Sequence, residues 1–266
     1  MKTIFFKLLI IILFFSSVIS HAAEIYIDCS KMKPFPELFT ASIWLNGDQL
    51  IRNPADFYIL KKFLKENNPA VIQWTLPVGL LRGSKSFEDF KIRFEKHLHQ
   101  KPVQFLIKEE IKKGFLLIVG FSQWGMMPLW LSSRKDTKPA FEYVNYPIWV
   151  FSPPKNYKEW AKIPVYVLET LKKFGVKKMG FFIGHEPDWL WLGKEEDFFK
   201  LYAYTVKAIK KIHKNIKVGG IGTSAAHAKK KPYNFINYSK TTRRLLYQIK
   251  PNFWNFQEGH IPPVPL

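Results

Sequence analysis

A single cysteine, Cys29, is the whole thiol content of this 266-residue chain, so no internal disulfide can staple its fold. Arginine is scarce as well. Only six of the 41 basic residues are Arg, and lysine supplies the rest of a formal net charge of +20. Arg is the preferred reader of bases and phosphates, and no nucleic-acid-binding motif is present, so a nucleic-acid partner is set aside. Also missing are a P-loop, a GxGxxG turn, a GxSxG elbow and any Cys–His pairing. Nucleotide and nucleophilic-serine chemistry lose their usual signatures with them. His97, His99, His213 and His227 show no metal-ligand spacing, so neither a metal nor another cofactor is expected. No internal repeat or low-complexity linker divides the chain, and one domain is the simplest reading.

What is present is apolar and aromatic. The composition is 47% hydrophobic and 17% aromatic, enough to supply a core. Met1-Lys-Thr-Ile-Phe-Phe-Lys7 gives a basic start to an apolar run from Leu8 to Ile19, and Ser20-His21-Ala22 offers small residues for cleavage. That run is too short to span a bilayer comfortably and reads as a secretory signal peptide over residues 1–22. The product, residues 23–266, is then secreted or held in the periplasm or cell envelope, with no membrane attachment once the signal is cut. The lysine pairs Lys172-Lys173, Lys177-Lys178 and Lys210-Lys211 read as spread over solvated helix faces. Such a surface still attracts an anionic polysaccharide or an acidic envelope.

Along the chain, apolar runs alternate with amphipathic stretches. Strands are expected at Phe39–Leu45, Ala70–Leu76, Phe115–Ser122, Lys178–Gly184, Lys217–Gly222 and Asn252–Gln257. Helices are expected from Asn53-Pro54 onward and at Phe87–His99, Val103–Lys113, Tyr157–Phe174, Lys194–Asn215 and Tyr238–Ile249. Residues 123–154, rich in Trp, Met, Pro and Ser, read as one long irregular stretch, either functional or poorly ordered. Alternation of this kind makes βαβ units and a parallel sheet, an α/β fold.

The densest chemistry lies in Met179-Gly-Phe-Phe-Ile-Gly-His-Glu-Pro-Asp188. An apolar strand runs straight into a carboxylate, and Pro187 prevents the ladder from continuing. Glu186 is thereby expected at the carboxyl end of a buried strand, where barrel enzymes keep their reacting groups. A solvated acid in an ordinary loop is the bland alternative.

Over residues 157 to 224 the chain resembles glycoside hydrolases of the large retaining clan built on (β/α)8 barrels, and within it family 39, the β-xylosidase and α-L-iduronidase group. His185-Glu186-Pro187-Asp188 stands where that family has Asn-Glu-Pro-Asp. Phe198-Phe-Lys-Leu-Tyr202 and Lys217-Val-Gly-Gly220 match its following helix and strand. The resemblance implies a TIM barrel and retaining hydrolysis of O-glycosidic bonds, with Glu186 as general acid/base. It also implies a carbohydrate partner, which the basic surface would allow to be anionic. His185 replaces the family's Asn; an imidazole still donates a hydrogen bond, with different reach and a charge that changes near neutral pH.

Around Glu186 the expected sugar-binding residues are His185, Asp188, Trp189, Glu258, His260, Trp44 and Trp74, all at or just past strand ends. Asp188 more readily fixes its loop than performs chemistry. Trp124, Trp130 and Trp191 share strand-end loops, though ordinary packing is at least as good a reading for each. Retention needs a second carboxyl about 5–5.5 Å from the first. In the resembling family that nucleophile ends strand seven, and only about six βα units are found here against the eight of a closed barrel. The chain therefore reads as a barrel truncated at its C-terminus, unless Glu258 stands on the seventh strand. A noncatalytic sugar-binding pseudoenzyme, or an inactive fragment, is the competing reading.

Overall fold

A computed structural model describes residues 42–121, 127–141, 144–183 and 190–219. Five parallel strands form the main sheet: β1 (Ser42–Asn46), β2 (Val71–Leu76), β3 (Leu116–Phe121), β6 (Met179–Phe182) and β7 (Lys217–Gly219). They lie in the order β1-β2-β3-β6-β7, which is simply their order along the chain. Each expected strand that falls among the described residues is there, in parallel pairing. The sixth, Asn252–Gln257, and the helix Tyr238–Ile249 lie outside the described residues.

Helices return the chain between strands: α1 (Gly47–Arg52) and α2 (Pro54–Glu66), then α3 (Val78–Arg82), α4 (Phe87–Leu98) and α5 (Lys101–Lys113), then α6 (Tyr157–Lys173), then α7 (Glu195–Ile212). Their boundaries follow from capping chemistry. The Asn53 side chain accepts the Ala55 N–H at 3.1 Å and Pro54 takes the first helical position. Ser86 accepts from Asp89, and Asn156 from Lys158 and Glu159. Gly114, at φ 70°, ends α5 in the left-handed conformation that glycine adopts at little cost.

The register decides which side chains meet. Leu45, Trp74, Val119 and Phe181 pair across neighbouring strands and share one face with Ile72 and Leu117. That face packs on Leu60, Leu64, Phe90, Phe94, Leu106, Val167 and Tyr202 from the helices, forming one buried core. The opposite face carries Trp44, Gln73, Thr75, Ile118, Gly120 and Phe182. Gly120 is required there, since a Cβ would stand 2.5 Å from two carbons of the Phe182 ring. Among the described residues every return packs on a single face. Sequential parallel strands with helices on one side curve into an arc of a (β/α) barrel; a doubly wound sheet would reverse its strand order and carry helices on both faces.

Two hydrogen bonds lock the last return. Trp160 Nε1 donates to Thr205 Oγ1 at 3.0 Å, joining α6 to α7, and the Tyr202 hydroxyl donates to the Gly219 carbonyl at 2.9 Å, joining α7 to β7. A third device enters β6. The wholly buried Glu110 carboxylate accepts the backbone N–H groups of Lys177 and Lys178 at 3.1 and 2.9 Å. Among the described residues no helix is long and apolar enough to cross a membrane.

Among the described residues the stretch after β3 is irregular only in part. An antiparallel pair, β4 (Pro139–Phe141) and β5 (Val144–Pro147), leads into a 3-10 turn at Ile148–Phe151. Phe141, Val150 and Phe151 make a small core of their own with Leu190. Strands of three and four residues are too short to show a period in sequence, which is why the expectation of an irregular stretch missed them.

Candidate active site

Parallel strands end together, so the carboxyl edge of the sheet is where the chain can converge functional groups. Trp44 lies two residues before the end of β1. Its indole is 44% exposed, and Nε1 donates to Thr75 Oγ1 at 2.7 Å on the helix-free face. Asn46 then caps α1 by accepting from Asp48 and Gln49. Gly47 follows in a space where a Cβ would stand 2.5 Å from the Thr75 carbonyl oxygen. Asp48 reaches across to accept the Val78 N–H at 2.8 Å, tying the ends of β1 and β2. Beside β1 a cavity of about 200 Å³ is lined by Trp44, Asn46, Gln49 and Asp56, among others.

Trp74 corrects an expectation. Pairing sets Trp44 opposite Gln73, so Trp74 projects from the other face, since side chains alternate along a strand. It is 0% exposed and stacks on His97 of α4, ring centres 5.6 Å apart. Trp74 therefore belongs to the helix-side core and cannot share a concave wall with Trp44. Trp191 is likewise buried, its Nε1 donating to the Lys194 carbonyl at 3.1 Å and its ring edge-on to Phe198. Trp130 packs against the main core, with Nε1 donating to Ser84 Oγ. For these two, packing is the role the structure gives.

Glu186, His185, Asp188, Trp189, Glu258, His260 and Trp124 lie outside the described residues. Both flanks of the first group are described. β6 carries the chain to Ile183 at the carboxyl edge, 2% exposed, and the chain resumes at Leu190, 1% exposed. Leu190 sits in the small core built by the β4–β5 hairpin, and the Leu192 N–H donates to the Phe151 carbonyl at 2.9 Å. The hairpin is held in turn from the β2 side, where the Arg82 guanidinium lies 4.4 Å from the centre of the Tyr146 ring. Segments following three different strands thus brace one another on this edge.

Thr75, Gln73, Arg82 and Tyr146 were not anticipated there. For the first two the signal was available: in Val71-Ile-Gln-Trp-Thr-Leu76 the polar residues fall on alternate positions, which marks them as one face. Arg82 and Tyr146 are 64 positions apart and carry no local signature.

A larger cavity, about 610 Å³, opens on the helix side between α1, Pro77–Leu80 and α4. Its arginines are paired, Arg52 with Asp48 at 3.5 Å and Arg93 with Asp89 at 3.0 Å. His97 lines it, and burial pushes this imidazole down to about 4. Cavity size alone does not mark chemistry here, because the strand ends point elsewhere. Among the described residues no group of His, Cys, Asp and Glu is arranged to hold a metal ion.

Sequential parallel strands, one-sided helices and a braced carboxyl edge define an α/β protein of the TIM-barrel type, of which the described residues form part. A similarity is found in the same region: residues 118–248 match the model of glycosyl hydrolases family 39, and the chain is family 39-like there. It is 35% identical over 120 residues to a β-xylosidase of Caldicellulosiruptor saccharolyticus, covering 41% of this chain and 23% of that protein. A β-xylosidase of Geobacillus stearothermophilus is 29% identical over 107 residues, covering 38% of this chain and 20% of that protein. The matched segments thus span about a quarter or less of these relatives. The solved structure of a family 39 β-xylosidase from Caulobacter crescentus superposes with a TM-score of 0.50 at 18% identity, over 85% of this chain and 55% of that one. That last likeness concerns the fold.

Proposed function

We propose that this chain is a secreted glycosidase that hydrolyses β-xylosidic bonds with retention, Glu186 serving as general acid/base. One observation carries the reading. β6 delivers the main chain to the carboxyl edge at Ile183, three residues before Glu186 and inside the family-matched segment. Strand ends of this kind are where barrel enzymes keep reacting groups. The printed activity of both curated relatives suggests the xyloside. In this mechanism the Glu186 carboxyl protonates the departing glycosidic oxygen while a second carboxylate attacks the anomeric carbon. The Glu186 carboxylate then takes a proton from the water that releases the sugar. Asp188 would fix the loop, Trp44 and Trp189 would present aromatic faces to the sugar's C–H surface, and His185, Glu258 and His260 would contact its hydroxyls. The signal-like residues 1–22 support secretion.

The test uses two aryl β-xylosides, one with a good leaving group and one with a poor one. Glu186→Gln should lower kcat/KM for the poor substrate about 10²–10⁴-fold and for the good one far less, since only the former needs the proton to depart. Loss of the base slows the release of sugar from both and so limits kcat of the good one. Added azide should restore turnover of the good substrate. Equal losses on both, without rescue, would remove Glu186 from the acid/base role. A second reading follows from His185 standing in place of Asn: the chain binds xylo-oligosaccharides without cleaving them. Binding by the unaltered chain with no turnover of either substrate would establish it.

A further inference from the structure

Lysines lie along the helices, at Lys61, Lys62, Lys108, Lys158, Lys162, Lys200 and Lys207 among others, but the described residues gather a further group at one edge of the sheet. Each helix that precedes a strand of the main sheet must run back to the sheet's amino edge, so the last turns of α2, α5, α6 and α7 gather there. Lys65 and Lys112 are exposed in the last turns of α2 and α5, and Lys172 and Lys173 in that of α6. Lys177 and Lys178 are exposed in the turn into β6. Lys211, Lys214 and Lys217 continue the series around the entry to β7. In the last turns of these four helices and the turns that follow them, Glu66 is the one exposed carboxylate among the described residues, for Glu110 is buried and engaged by backbone N–H groups; Glu196, also exposed, lies in the first turn of α7. The ion pairs among the described residues lie elsewhere, at Arg52–Asp48, Lys91–Glu88, Arg93–Asp89, Arg134–Asp136 and Lys162–Glu159.

At the other ends of these four helices, the first turns of α2, α6 and α7 carry Asp56, Glu159 and Asp197, while that of α5 has no acid and begins at the exposed Lys101. Helix dipoles favour this sorting and account for the last-turn lysines. They do not account for Lys177, Lys178, Lys214 and Lys217, which stand outside the helices and still lack exposed acidic neighbours. Like charges this dense cost stability through repulsion unless something of opposite sign approaches.

We propose that the amino edge of the sheet is a docking face for an acidic, carboxylate-bearing polysaccharide. No arginine occurs in these returns, so the bidentate fork that grips phosphate is missing. Exposed large apolar residues are also few: among the described residues only Ile212 stands out at this edge, whereas a membrane-docking surface would need several to insert. Flexible point charges at intervals suit a hydrated polymer with charges spaced along a sugar backbone. A chain docked in this way keeps its carboxyl edge, the proposed site of hydrolysis, turned away from the polymer it holds. The glycan class of the partner rests on the proposed function; the charge geometry does not.

The test measures binding of the full chain to immobilised polygalacturonate, with uronate-free xylan, phosphatidylserine vesicles and duplex DNA as comparisons. Polygalacturonate should be bound, with affinity falling about tenfold or more between 50 and 200 mM salt. Replacing Lys172, Lys173, Lys211 and Lys214 with Gln should weaken binding at low salt by at least about tenfold. A control with Gln at Lys135, Lys155, Lys158 and Lys200 changes net charge equally and should lose less than about threefold. A second edge variant, with Gln at Lys177, Lys178 and Lys217, should reproduce the loss and guards against a misfolded first one. Equal losses in edge and control variants would overturn the proposal, as would binding to vesicles or DNA in preference to polygalacturonate. Binding is read without turnover. A chain that docks through these lysines and hydrolyses nothing keeps this inference and loses the acid/base assignment.

Discussion

Protonating His97 should destabilise this protein's helix layer at an acidity most globular folds tolerate. The ring is 3% exposed, stacked on Trp74, and its Nδ1–H is held by Gln100 Oε1 at 2.9 Å. Nε2 is buried with no hydrogen-bond partner, so the cation would add a donor with nowhere to place its proton. Burial is the main cause of a pKa near 4, against 6.5 for a free imidazole; Gln100 and the Asp48 charge pull only weakly upward. Because the folded value is the lower one, the unfolded chain binds the proton first. The contribution of neutral His97 is therefore intact above pH 6.5 and drains away as pH falls from 6.5 toward 4. At about 1.4 kcal/mol per pH unit over that window, roughly 2 kcal/mol is lost between pH 7 and pH 5, and about 3 kcal/mol by pH 4. Urea unfolding at pH 7 and pH 5, on the native chain and on His97→Phe, isolates this site from the carboxylates. The Phe ring keeps the stack on Trp74 without titrating, so its stability should fall about 2 kcal/mol less over that interval. Parallel losses in the two proteins would refute the reasoning.

Other consequences are as direct. Glu110→Gln turns one acceptor into a donor facing the backbone N–H groups of Lys177 and Lys178, and should cost about 2–3 kcal/mol, a fall in Tm of roughly 5–10 °C by calorimetry. The half-buried neighbour Glu109→Gln should leave Tm within a degree or so. Gly120→Ala places a Cβ 2.5 Å from the Phe182 ring, and should cost about 1–3 kcal/mol in denaturant unfolding. Phe182→Leu in the Gly120→Ala background should recover part of that loss if the ring is the obstacle.

Much of this was legible from the residues, for physical reasons that differ by element. Asn53-Pro54, Ser86 and Asn156 mark helix starts because a capping side chain followed by a helical run satisfies backbone donors locally. β3 and β6 show as nearly unbroken apolar runs because their residues are buried on both faces of the sheet, whereas β2 alternates. Trp74 was misplaced because its face depends on register with β1 and β3, which a single strand's sequence does not carry. The β4–β5 hairpin was missed because its strands are too short for a period and their cohesion comes from Leu190, more than forty residues on. The lysine edge escaped notice for a related reason. Read singly, Lys172-Lys173 and Lys210-Lys211 are solvated helix ends, and they become one surface only when parallel topology stacks the returns side by side. For the site itself, Pro187 after Glu186 and the family likeness remain the main signals, since that segment lies outside the described residues.

The Glu110 clasp has a consequence for how this surface can change over time. Glu110 holds the main chain of Lys177 and Lys178, not their ammonium groups, so the turn into β6 keeps its path whatever side chains those two positions display. Shape and charge are thereby inherited separately at this corner of the molecule. A lineage could exchange lysine for glutamine, serine or glutamate there, one position at a time, with the strand's entry undisturbed. Mutational drift at this edge would alter only what the protein adheres to, while a change at position 110 would be felt by the whole sheet.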